Sequence, residues 1–253
     1  MKRIDILSDY DHPSVRSKAT ELTARETTVR GMLEKLFYYV RDDIEFGFTA
    51  GGDIVRASET IELGIGQCNN KGTLFLALCR AVGIPARIHF SLIRKDIQAG
   101  LFTGVFYRLL PPLLSHSWIE VEVDKKWIRI DSYINDETFY LAGKNALKEK
   151  GWKTGYSISC AAGESSAGFN LDTEKFVQMD AVMEDHGIWE EPGQYYATDL
   201  YRNRPNAVTV LIYRLVIVPI VNGRIARMRS QCRNGLCGAP SPDAGMVPQG
   251  GGE

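Results

Sequence analysis

Between Asn69 and Val82 the chain runs Asn-Asn-Lys-Gly-Thr-Leu-Phe-Leu-Ala-Leu-Cys-Arg-Ala-Val, and from Leu74 onward hardly a polar position remains. A helix that is apolar on most sides has no face to give to solvent, so other elements must wrap it. Gly83 followed by Ile84-Pro85 stops it, because glycine takes a left-handed cap and proline cannot continue a helix. Residues 87–93 then read as a strand. The chain is therefore built around a buried helix that feeds a sheet.

Ahead of that centre, residues 14–25 and 28–42 read as helices, the second with Val29, Met32, Leu33, Leu36, Phe37 and Val40 at helical spacing. A Gly-rich connector covers residues 47–53. After the strand, residues 97–114 are apolar but irregular, with Pro111-Pro112 near the end, and read as a loop. Residues 115–131 carry a hairpin signature. With Asp124-Lys125 as a two-residue turn, Val121 faces Ile128 and Ile119 faces Ile130 on one side. Glu120 with Arg129, Glu122 with Trp127 and Trp118 with Asp131 then share the other, and a slip of one residue would mix the two sets. This register puts His116 and Asp131 on one face as diagonal neighbours, roughly 7–8 Å apart at the backbone. Further on, residues 136–150 look helical and residues 207–221 look like one or two strands. The organisation expected is one domain over residues 1–231, with a core at 10–135 and an extension at 136–231. A Gly/Pro-rich tail, 232–253, is expected to be disordered.

The 253 residues carry 30 basic and 31 acidic side chains, a net charge of -1, which gives no global reason to expect nucleic acid. Arginines gather late (Arg202, Arg204, Arg214, Arg224, Arg227, Arg229, Arg233) and read as a solvated face. The apolar stretch Val208 to Val221 contains Arg214 and Pro219 and falls short of a membrane span, so no membrane partner is expected. Five cysteines form an odd set without framework spacing, which points to free thiols in a reducing, cytoplasmic setting. Cys232 and Cys237 read as unpaired thiols, and no metal or other cofactor is expected.

Cys68 follows Gly64-Ile65-Gly66-Gln67 and opens the buried helix. Unpaired N–H groups and a positive potential at a helix start favour thiolate over thiol and can hold an oxyanion. Acyl transfer also needs a base for the proton and a group that fixes the base's tautomer, roles that His116 and Asp131 can fill. Cys79 reads as a small core residue, His89 as a packed strand histidine, and His12 as the mark of a helix entry. Phe106 and Tyr107, in the apolar run that leads into His116, are candidates to border the cleft. So are Trp118 and, from a loop, His186.

Two blocks, residues 66–72 with 78–87 and residues 116–121 with 127–131, resemble the core of the transglutaminase-like superfamily, in a single-domain form of bacterial or archaeal type. Residues 39–44 look like the superfamily's helix before the nucleophile. The resemblance implies a papain-like α+β fold, with a helical N-terminal part and a central buried helix packed on an antiparallel sheet. It implies a Cys68, His116, Asp131 triad without metal, and a peptide or protein amide as substrate. The oxyanion donor expected is the Cys68 main-chain N–H, with Gln67 as a weaker candidate. Hydrolysis through a Cys68 acyl-enzyme is the leading expectation. The alternatives are a glutamine-directed crosslinker, a peptide N-glycanase-like amidase, and a catalytically silent peptide-binding domain.

Overall fold

The structure, a computed structural model, describes residues 6–161, 163–204 and 206–236. Pro13 opens helix α1 (Pro13–Thr23) in the first turn, where its missing N–H has no partner to lose. Thr28 caps α2 (Val29–Tyr38), which runs into a π turn over Tyr39–Asp43. A short strand β1 (Glu45–Phe46) leads to α3 (Ala57–Leu63), which Gly64 ends in the left-handed conformation. Strand β2 (Ile65–Gly66) pairs in parallel with β1 and delivers the chain to α4 (Cys68–Ala81). Helix α4 is the buried one: Leu74 to Cys79 are all inaccessible. Gly83, at φ 78, turns the chain into β3 (Ala86–Arg94).

The next segment departs from the loop expected. It holds a 3-10 turn (Lys95–Gln98) and a short helix α5 (Gly104–Leu109) before β4 (Leu113–Val123). Strand β5 (Lys126–Ile130) completes the hairpin in the expected register, with Val123 opposite Lys126, Val121 opposite Ile128 and Ile119 opposite Ile130. Asp124 and Lys125 both take positive φ, the turn whose twist matches the strands. Helix α6 (Glu137–Lys150) is capped by Asp136, and the two-residue strands β6 (Thr154–Gly155) and β7 (Ile158–Ser159) follow. Strand β8 (Val182–Trp189) closes an antiparallel sheet in the order β5-β4-β3-β8.

Pairing sets the two faces of that sheet. Ile88 opposes Ile119 and Phe90 opposes Ser117 on the side that meets α4. Contact there is close: a Cβ on Gly72 would come 3.0 Å from Tyr133 Oη and 3.1 Å from Ser117 Oγ. His89 and Trp118, then Ser91 and His116, oppose each other on the other side.

One expectation for the C-terminal extension is corrected. Helix α7 (Pro192–Ala197) is followed by α8 (Ala207–Ile212), a π turn (Tyr213–Ile217) and α9 (Val218–Gln231), so residues 207–221 are helical rather than strands. Asn206 caps α8 through the N–H of Thr209, and the β-branched run has no sheet edge to join. A turn over Cys232–Leu236 follows α9, kinked at Gly235 (φ 84), and the rest of the expected tail, residues 237–253 with Cys237, lies outside the described residues.

Candidate active site

The first turn of α4 is polar and almost wholly buried, and its fastenings fix Cys68. Asn69 Nδ2 donates to Ser115 Oγ at 3.2 Å, Asn70 Nδ2 to the Gly52 carbonyl at 2.9 Å, and Lys71 Nζ to the Arg41 carbonyl at 3.1 Å. All three residues are 0% exposed. One helix start is thus pinned to β4, to the Gly-rich connector and to the π turn after α2. Buried groups tied at three separate points leave the residue before them little freedom. Cys68 itself is half-buried.

The charge state differs from the one expected. Burial pushes the Cys68 thiol up to about 12, and the nearby Asp53 carboxylate adds to the rise. The main-chain N–H groups of Ser117, Asn69 and Cys68 pull the other way without winning. The helix start is therefore outweighed, and at neutral pH this state holds a thiol. The influence of Ser117 N–H also puts the sulfur against the strand residue next to His116.

His116 is 0% exposed, and burial lowers its pKa to about 3. Neither ring nitrogen has a hydrogen-bond partner. Asp131, also 0% exposed, accepts the N–H groups of Val177 (2.7 Å), Gln178 (2.7 Å) and Met179 (3.1 Å). Burial nonetheless raises its pKa to about 7. All three groups are displaced toward their neutral forms. Asp131 holds the 177–179 segment rather than the imidazole, so no hydrogen-bonded relay joins the three.

Buried polar atoms without partners are uncommon in folded proteins, and here they gather. His116, Ser117 and Trp118 contribute four in succession along β4, and Gln67 Oε1, Tyr133 Oη and Tyr196 Oη add three more. The Cys68 charge is felt at both Tyr133 and Tyr196. Tyr133 and Tyr196, the two unpaired hydroxyls that feel the thiol, are groups an incoming polar substrate would satisfy.

The segment between β8 and α8 covers this place, which local sequence patterns hardly signal. Asn203 accepts the Ser115 N–H at 2.6 Å and donates to the Leu113 carbonyl, along the edge of β4 next to His116. Tyr201 Oη donates to Asp53 at 3.0 Å, and Gln67 Nε2 donates to the other oxygen of Asp53 at 2.5 Å. Tyr195 stacks on Phe90 with ring centres 4.0 Å apart. The only sequence signals were the Tyr195-Tyr196 pair with Tyr201, and Asp53 closing the Gly-rich connector.

The remaining candidates fall in different places. Gln67 donates one amide N–H to Asp53 at 2.5 Å. Trp118 is buried, stacks on His89 at 4.1 Å and lies 6.1 Å from the His116 ring. Phe106 and Tyr107 sit half-buried on α5, packed against the core. His186 belongs to strand β8 rather than to a loop, and its Nδ1 pairs with Tyr195 Oη at 3.0 Å, so it acts on the covering segment. Among the described residues Cys68, Cys79, Cys160 and Cys232 are free, and no group of three or more His, Cys, Asp or Glu could hold a metal ion. An open concavity bounded by Tyr10, Arg80, Arg87, Trp127 and Glu190 lies at the other end of α4 from Cys68.

The family model of the transglutaminase-like superfamily matches residues 16–132. That stretch contains Cys68, His116 and Asp131. No curated protein matches this sequence. Among solved structures, the chain is similar to a candidate cysteine protease from Cytophaga hutchinsonii at 21% identity and TM-score 0.39, covering 50% of this chain and 38% of that one. It is also similar to a candidate protease from Parabacteroides distasonis at 10% identity and TM-score 0.35, covering 49% of this chain and 25% of that one.

Proposed function

We propose that the chain, whose residues 16–132 match the transglutaminase-like superfamily model within an α+β fold, is a thiol-dependent acyl-transfer enzyme that hydrolyses an amide bond of a peptide or protein. One observation carries the reading: a cysteine at the start of the central helix lies against β4 at Ser117, the residue that follows a buried histidine whose two nitrogens are unengaged. His116 is in its neutral form, the form that accepts a proton. When the thiol gives its proton to His116, the sulfur attacks the amide carbonyl and the Cys68 N–H faces the oxyanion. The imidazolium returns the proton to the departing amine. Water, deprotonated by His116, then releases the acid and restores the thiol.

Desolvation opposes the first proton transfer, since it disfavours both the thiolate and the imidazolium. Displacement of the 192–204 segment by substrate readmits polar groups and lowers that cost, which gives the covering segment a part in controlling access. A silent peptide-binding domain is the second reading, and the engagement of Asp131 with the 177–179 N–H groups is the observation that favours it. The test is a mixed peptide-amide library incubated with wild type and with Cys68→Ala. Cleavage by the wild type alone supports the enzyme. Binding by both without product from either supports the silent domain and overturns the enzyme.

A further inference from the structure

From Leu200 to Leu236 the chain has seven arginines and neither aspartate nor glutamate, although the whole protein is close to neutral. The same stretch contains a long apolar helical run, residues 207–235, little of which is buried. Val208, Leu211, Ile212, Leu215, Val216 and Ile220 all face outward, with Leu215 68% exposed. These positions recur at intervals of three to four residues and make a stripe roughly 18 Å long.

The opposite side of the helix is held by the domain. Val221 and Ile225 are buried, Asn222 exchanges two hydrogen bonds with the Phe48 backbone, and Arg229 is buried against Asp136. The helix cannot leave these partners to cross a bilayer. It can lie along one.

We propose that the outward stripe of α8 and α9 docks in the plane of an anionic lipid surface, with arginines at both ends of the helix against the headgroups. The six residues of the stripe are aliphatic, without the aromatic or Met anchors that mark protein interfaces. Exposed Arg202 and Arg204 before it, and Arg227 and Arg233 after it, give a positive surround that complements anionic lipid. Two of these, Arg202 and Arg233, also meet Glu184 and Glu45 at the surface, and such exposed pairs exchange readily. The sequence-based expectation of no membrane partner rested on Arg214 and Pro219. Arg214 is exposed, with its Nε donating to the Ala50 carbonyl, and adds a cation beside the stripe, while Pro219 falls in the first turn of α9 and leaves the helix continuous.

The test is sedimentation of the full chain with phosphatidylcholine vesicles and with vesicles that also contain phosphatidylserine, at low and high salt. Leu211→Glu/Leu215→Glu alters only exposed positions, and its circular dichroism and melting should match wild type. The expected result is binding to the anionic vesicles that high salt weakens and that the double variant reduces by about tenfold or more. Arg227→Glu should weaken the same binding. Wild type that remains in the supernatant with both vesicle types overturns the proposal. So does a dimer that the double variant dissociates without any lipid binding, which would make the stripe a subunit seam. Binding indifferent to lipid charge overturns it as well.

Discussion

Asp136 joins three parts of the molecule, and its removal has a calculable cost. Its carboxylate accepts the Phe46 N–H of β1 and the Phe139 N–H at the start of α6, each at 3.0 Å. It also meets Arg229 of α9, at 2.5 Å from Nη2, with both side chains nearly inaccessible. Asp136→Ala leaves a buried guanidinium with the half-exposed Glu45 and the Phe46 carbonyl as its remaining partners. Breaking a buried pair from one side costs about 3–5 kcal/mol, and loss of a helix cap about 1 kcal/mol. Because the two share one carboxylate, the expected total is about 4 kcal/mol, or a fall in Tm of about 8–16 °C. Asp136→Asn keeps a cap acceptor but not the charge, and should retain most of the loss. Burial alone would raise the Asp136 pKa, but the Arg229 hydrogen bonds and charge hold it below 3.8. The folded value is depressed, so the carboxylate's contribution is complete above the unfolded value and disappears as pH falls through the folded one. Urea unfolding of wild type and variant at about pH 7 and about pH 3 reads both effects. A loss below about 1 kcal/mol at neutral pH, or a gap that acidification leaves unchanged, refutes the reasoning.

Lys71 tests burial from the opposite sign. Desolvation lowers its pKa from 10.5 to about 7 despite the pull of Asp136 and Asp42, so between those values the unfolded chain binds the extra proton. Wild type should therefore gain a few kcal/mol of stability relative to Lys71→Met as pH rises from about 7 to about 10.5, measured by urea unfolding; parallel profiles would contradict it. Wild-type Cys68 should react with iodoacetamide more slowly than a free thiol near neutral pH, and Tyr201→Phe should speed that reaction by about fivefold by loosening the covering segment. Alkylation of wild type faster than the free thiol would show a thiolate already present. Asp131→Ala should accelerate hydrogen exchange at Val177, Gln178 and Met179 by about tenfold or more, since it removes their common acceptor; unchanged exchange would deny that role.

Parts of the chain were readable because local chemistry leaves one solution. The hairpin register follows from side-chain alternation, in which a single slip exchanges every core residue for a solvent-facing one. Helix α4 is readable from its apolar run and from the stop at Gly83-Ile84-Pro85. Residues 207–221 misled because Val208, Val210, Ile212, Val216, Ile217 and Val218 favour strands locally, whereas the Asn206 cap and the docking of Val221, Ile225 and Arg229 make the segment helical. Helix α5 was hidden by the irregular run ahead of Pro111-Pro112. For the site, residue types at Cys68, His116 and Asp131 were visible but their protonation was not. The thiol's state depends on enclosure and on Asp53, fifteen positions earlier. Asp131's partners come from Val177, Gln178 and Met179, more than forty positions later. Neither contact leaves a trace in local spacing.

The most direct test of Cys68 as a nucleophile served by His116 is intact-mass analysis after treatment with a carbonyl-electrophile peptide probe. Wild type is predicted to take one adduct, mapped to Cys68. Cys68→Ala should take none, and His116→Ala should be labelled far more slowly while melting like wild type. Labelling at Cys160 or Cys232 instead, or unchanged labelling of a folded His116→Ala protein, would contradict the account.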